Sequence, residues 1–116
     1  MAIPLCLYFR KCGGCSAQHI DYTLQLENKL KAVKSSLGIS EVQVFQGKEY
    51  YYRNRMDLIF HEKGLGFREK ERWQSIVDIE KCVISNEKLN TLIKEVRNYF
   101  KTPDYCDIRK KTGTLK

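Results

Sequence analysis

The stretch 53–79, RNRMDLIFHEKGLGFREKERWQSIVDI, decides the fold. Between Arg53 and His61, Asn54, Met56, Leu58 and Phe60 fall on one side, and Arg53, Arg55, Asp57 and His61 on the other. That period of two predicts a strand with one face toward a core and one toward water. Glu62-Lys63-Gly64 reads as a turn, so Leu65 to Glu69 is expected to return antiparallel. Polar residues from Lys70 to Arg72 make a second turn, and Ser75 to Ile79 supplies a third strand. The stretch is therefore read as an antiparallel meander.

Moving outward, Glu41 to Phe45 reads as a further short strand, rich in valine. Before it, Asp21 is placed to cap a helix running to about Leu37. Leu26, Leu30, Val33 and Leu37 recur at helical spacing, and Gly38 is placed to stop it. After the meander, Ser85 or Asn86 is placed to cap a second helix to about Lys101. Its apolar stripe is Leu89, Leu92, Ile93, Val96 and Phe100, and Pro103 blocks continuation. The tail from Asp107 to Leu115 reads as a small hairpin. The order loop, helix, strands, helix predicts an α+β domain: a mainly antiparallel sheet of about four strands, two helices on one side, and an N-terminal arm.

The chain has 116 residues, the size of one domain spanning 1–116, without linker or repeat. No apolar run approaches the roughly 20 residues that span a bilayer. A net charge of +7, from 21 Lys and Arg against 14 Asp and Glu, favours a polyanionic partner such as nucleic acid.

Three of the five cysteines, Cys6, Cys12 and Cys15, are spaced Cys-x5-Cys-x2-Cys, with Gly13 and Gly14 in the last gap. Cys82 follows far downstream, at the end of the third strand. Three close thiolates and one distant one suit an iron–sulfur cluster. Glycines let a backbone pass close to a bulky group, and their N–H groups can donate to sulfur. Structural zinc also takes four thiolates, but usually from two short pairs, and this chain has one. Unmetallated buried or disulfide-bonded cysteine is the plain alternative. An odd count and a start that leads straight into Cys6 favour a reducing cytoplasm, where thiols serve metals more often than disulfides.

The motif Cys6-x5-Cys12-Gly13-Gly14-Cys15-x2-Gln18-His19-x2-Tyr22-x2-Gln25-Leu26-x2-Lys29 resembles the iron–sulfur segment of the RNA uracil-C5 methyltransferases. Those enzymes make 5-methyluridine in tRNA and ribosomal RNA. Tyr52-Arg53-Asn54-Arg55, Gly66-Phe67-Arg68 and Ile76-Val77-x4-Cys82 continue the resemblance in the family's order. It implies a four-iron, four-sulfur cluster on Cys6, Cys12, Cys15 and Cys82. It also favours RNA contact by Arg53 or Arg55. Arg68, on the neighbouring strand, is placed to extend that patch. Tyr52 is a candidate stacking surface, although such a tyrosine run more often fills a sheet, and His19 is a candidate RNA contact, although a lone histidine is more often structural. Family members carry a β-barrel RNA-binding domain before this region and a methyltransferase domain using S-adenosylmethionine after it. Neither is expected within these 116 residues, so the chain is expected not to methylate alone. Thr112-Gly113-Thr114-Leu115-Lys116 is similar to the family's entry into the catalytic domain, with Lys116 where arginine is usual. Cys106 matches no family motif.

Taken without the resemblance, Arg53 and Arg55 are a solvated face with Asp57 as ion-pair partner. With it, their guanidinium groups are placed to bind phosphate or stack on an unpaired base. The second reading of the whole chain is a stand-alone RNA-binding adaptor derived from such an enzyme. A zinc-stabilised nucleic-acid module is the third.

Overall fold

A computed structural model of the chain describes residues 1–101, 110, 112 and 113. The expected tail hairpin falls mostly outside the described residues, and Cys106 and Pro103 fall wholly outside them.

The order of elements is α1 (Tyr22–Leu37), β1 (Ile59–His61), β2 (Gly64–Glu69), β3 (Arg72–Asp78) and α2 (Glu87–Tyr99). The fold is α+β, with the three strands in one antiparallel sheet of order β1-β2-β3. Among the described residues the sheet thus has three strands rather than about four, because 41–45 forms no strand. Val44 and Phe45 are exposed there, so no buried face rewards pairing.

The meander closes as its turn residues dictate. His61 pairs Gly64, Phe60 pairs Leu65 and Ile59 pairs Gly66. Gly64 has φ +131°, and a Cβ there would collide with the Asp78 carboxylate. Both facts require glycine at this turn. Phe67 pairs Val77 and Arg68 pairs Ile76 across β2 and β3, with a register shift between Arg68 and Glu69.

β1 is much shorter than the alternation from Arg53 predicts. Its register, continued, would set Met56 opposite Glu69. Cys12 is bridged to Glu69 instead. The N-terminal arm therefore takes the edge of β2 that a longer β1 would need. Gly13 N–H donates to the Arg68 carbonyl at 2.9 Å, and Lys70 N–H to the Lys11 carbonyl at 2.8 Å. Residues 51–53 turn away and run parallel to 83–85. Tyr51 N–H donates to the Val83 carbonyl, Arg53 N–H to Ile84, and Asn86 N–H to Arg53.

α2 starts at Asn86, whose side chain accepts from Leu89 N–H at 2.9 Å. Ser85, the other candidate cap, is fully buried. Leu89, Leu92, Ile93 and Val96 line a groove with Met56, Leu58, Phe60 and Leu65, so the stripe faces the sheet. Arg97 on the same helix pairs with Asp78 at 2.6 Å and also donates to the Leu65 carbonyl. α1 ends at Gly38 in the left-handed conformation, as its sequence predicts. No residue of α1 is buried. The core lies instead under the end of the meander, in Val77, Ile79, Cys82, Val83 and Ile84.

Candidate metal centre

Three separate pieces of chain converge on one cavity of about 460 Å³. The arm gives Cys6, Cys12 and Cys15, the segment 53–57 gives Arg53, Arg55 and Met56, and the turn after β3 gives Cys82. Local sequence explains how each piece is held. The arm turns at Tyr8, whose carbonyl accepts from Lys11 N–H and Cys12 N–H. That turn sets Cys12 against Glu69. The Tyr8 hydroxyl accepts from Glu80 N–H at 3.2 Å, joining the arm to the segment that delivers Cys82.

Cys82 is fixed from α2. Asn90 accepts from the Cys82 N–H at 2.8 Å and returns a hydrogen bond to the Cys82 carbonyl at 2.9 Å. A single side chain thus satisfies both backbone groups of a buried residue. Cys6 is fixed from within the arm, where its N–H donates to the Gln18 Oε1 at 3.1 Å. Neither Asn90 nor Lys81, which also lines the cavity, was marked by the sequence. The only sequence signal for Asn90 was an amide directly beside the apolar stripe of α2.

Burial pushes the Cys6 thiol above its usual 9.0. Backbone N–H groups of Tyr8 and Phe9 oppose the rise, and charge on Cys82 and Cys15 adds to it. Cys12 is raised in the same way, chiefly by burial, with Gly14 N–H opposing and the other three thiols adding. Because neighbouring thiols raise the pKa of Cys6 and of Cys12, ionising these two beside them is costly without a cation among them. Arg53, Arg55 and Lys81 supply positive charge at the cavity, against Asp57 alone.

Among the described residues, no three of His, Cys, Asp and Glu stand close enough to hold one metal ion. A single zinc needs its four donors at bonding distance from one point. A cluster bonds each thiolate to a different iron, so its donors stand farther apart.

Gly14 lines the cavity, and its N–H lies 3.4 Å from the Cys12 sulfur. Gly13 has a different task from the one its position suggests. A Cβ there would stand 3.1 Å from the Arg68 carbonyl, so Gly13 serves the close approach of arm and hairpin.

The remaining sequence candidates separate. Arg53 and Arg55 reach the cavity, and Arg55 also makes an exposed contact with Asp57 at 3.5 Å. Arg68 does not join them, because β1 ends before the register brings the two together. Its guanidinium donates to the Trp73 carbonyl and lies 5.9 Å from the Trp73 ring centroid. Tyr52 is half exposed and lines an adjoining hollow with Lys29, Lys48 and Arg53. His19 packs against Phe9, with ring centroids 5.6 Å apart.

No family model matches the chain. Individual proteins do. A tRNA (uracil(54)-C(5))-methyltransferase of Pyrococcus abyssi is 36% identical over 115 residues, covering 97% of this chain and 28% of that protein. Its counterpart in Pyrococcus furiosus is 37% identical over 114 residues, with 96% and 28% covered. An uncharacterized RNA methyltransferase of Leptospira interrogans is 38% identical over 121 residues, with 98% and 27% covered. The crystal structure of the Pyrococcus abyssi enzyme in complex with S-adenosyl-L-homocysteine superposes with a TM-score of 0.73 at 35% identity. That likeness covers 88% of this chain and 26% of the other. The chain spans little more than a quarter of the length of the curated relatives it matches.

Proposed function

Because this chain matches one segment of the tRNA uracil-C5 methyltransferases over nearly its whole length, we propose that it is the cluster-binding, RNA-recognising part of an RNA uridine-5-methyltransferase. Cys6, Cys12, Cys15 and Cys82 hold a four-iron, four-sulfur cluster. A bound cluster supplies four iron–thiolate bonds, which cross-link the arm to the turn after β3. Arg53 and Arg55 then stand beside a rigid wall, placed to meet phosphates or an unstacked base of tRNA or ribosomal RNA. Tyr52 extends that surface as a stacking platform. Methyl transfer from S-adenosylmethionine belongs to a catalytic domain, in the same polypeptide or supplied in trans. These 116 residues are not catalytic by themselves.

The observation that carries this reading is the convergence of all four motif cysteines on one cavity with Arg53 and Arg55. The net charge of +7 suits a nucleic-acid partner. No helix of the described residues is long and apolar enough to cross a membrane.

The test is anaerobic purification with metal and sulfide analysis. Brown protein with about four irons and four acid-labile sulfides per chain is expected. One zinc and no sulfide would overturn the cluster and restore the zinc-stabilised module. RNA binding is tested separately, by titrating a structured tRNA at several salt concentrations.

A further inference from the structure

Gln18 is buried, with 7% of its surface exposed, and it lines the cysteine cavity. One end of its amide is accounted for: Oε1 accepts from Cys6 N–H at 3.1 Å. The other end is not. Nε2 is buried and has no hydrogen-bond partner. The two ends cannot be exchanged, because Cys6 N–H can only donate and so requires the oxygen. The NH2 group is therefore held away from Cys6 by the same bond that fixes Oε1.

A buried donor left unpaired is costly, so such groups normally have an acceptor. Around this cavity the lining side chains are mainly cysteine, aromatic and aliphatic, with cations that cannot accept; Asp57, the one carboxylate in the lining, is exposed and paired with Arg55. The acceptors that suit the place are sulfurs. Two other buried polar atoms lack partners, His19 Nδ1 and Ser85 Oγ, but neither residue lines the cavity. Gly14 N–H stands 3.4 Å from the Cys12 sulfur, so a sulfur at this cavity already faces one N–H donor.

We propose that the Gln18 side-chain NH2 donates a hydrogen bond to a sulfur of the group held by the four cysteines, while Oε1 holds Cys6 in place. This rests on the cluster reading above. Gln18 is then a positioning residue that also sets the cluster's potential. A donor to sulfur stabilises the more negative, reduced state and raises the midpoint potential.

The test uses the whole 116-residue chain, purified anaerobically. Wild-type protein without a four-iron cluster would overturn the underlying reading, and is recognised by its iron and sulfide content alone. With the cluster present, the midpoint potential is compared with that of Gln18→Glu. That variant keeps an acceptor for Cys6 N–H and removes the amide donor. A more negative potential is expected, with a tenfold or greater change in the oxidised-to-reduced ratio, about 59 mV for one electron. A potential that becomes pH-dependent in the variant reports the same contact through the introduced carboxyl. An intact cluster with unchanged, pH-independent potential would overturn the inference. Should the variant fail to load, wild-type protein labelled with side-chain 15N-glutamine answers the question. Of the chain's glutamines, Gln18 is the one that lines the cavity. Hyperfine coupling of the reduced cluster to 15N is expected, and its absence would overturn the proposal.

Discussion

α1 and α2 carry similar apolar stripes and live in opposite surroundings. α2 lays Leu89, Ile93 and Val96 toward the sheet, and Ile93 is 4% exposed. α1 offers Leu26, Leu30, Val33 and Leu37 at equally good spacing, yet buries none of them. Its links to the rest are polar: Gln25 donates to the carbonyls of Ala17 and Ile20, and Tyr22 donates to Gly47. A periodic stripe specifies that a helix has a face. Whether anything meets that face is decided elsewhere. α2 is held because Asn90 and Arg97 grip the backbone of Cys82 and Leu65 from the same helix.

The largest expected effect falls on the packed half. Cys82→Ala removes the one proposed ligand delivered from outside the arm, and iron per chain should drop from about four to a small fraction of that. Leu30→Ala in α1 should leave the iron content at the wild-type level. Equal reductions in both variants would mean that α1 supports the cavity after all.

Stability gives the next contrast. Ile93→Ala truncates a buried side chain and should cost about 2–5 kcal/mol in denaturant unfolding. Leu30→Ala should stay within about 0.5 kcal/mol of wild type. A similar cost at both positions would show α1 to be buried in solution.

The cavity rim is probed by replacing Arg53 and Arg55 with alanine together. The backbone bonds of Arg53 to Ile84 and Asn86 do not involve its side chain, so unfolding should be almost unchanged. Affinity for a structured RNA should fall, and the logarithmic salt slope should drop by roughly 0.7 for each single-strand phosphate that an arginine no longer neutralises. Unchanged affinity and slope would return both residues to a solvated face. Arg68→Ala, on the Trp73 side, is expected to have the smaller effect on RNA.

The smallest effect concerns the clamp of α2 on the sheet. The Arg97 hydrogen bond holds the Asp78 carboxyl below its usual 3.8, with Leu65 N–H assisting and burial opposing. A depressed folded value means stability that is fully present above about pH 3.8 and is lost as pH falls through the folded value. Both side chains are partly exposed, so Asp78→Asn should cost only about 1 kcal/mol at neutral pH. The gap between variant and wild type should close in acid. A gap that persists at low pH would assign the destabilisation to the Leu65 N–H bond rather than to charge.

Much of this was legible in the sequence. Both helices, the cap at Asn86, the stop at Gly38 and the turn at Gly64 follow from residues whose own conformational preferences act locally. β1 was overextended because its alternation is genuine, yet strand formation needs an edge to pair with. Cys12, far away along the chain, occupies that edge. For the same reason Arg68 could not be kept apart from Arg53 and Arg55 by pattern alone.

The sequence by itself determined the α+β class, both helices, the turn at Gly64 and the set of four motif cysteines, because spacing and side-chain type are local properties. Only the tertiary structure decided that those cysteines share a cavity with Arg53 and Arg55, that Asn90 and Gln18 hold two of them, and that α1 buries no residue of its stripe, leaving Leu26 and Leu30 half-covered and Val33 and Leu37 exposed. Each of these depends on long-range pairing of backbone groups, and a one-dimensional pattern carries no record of which partner reaches an edge first.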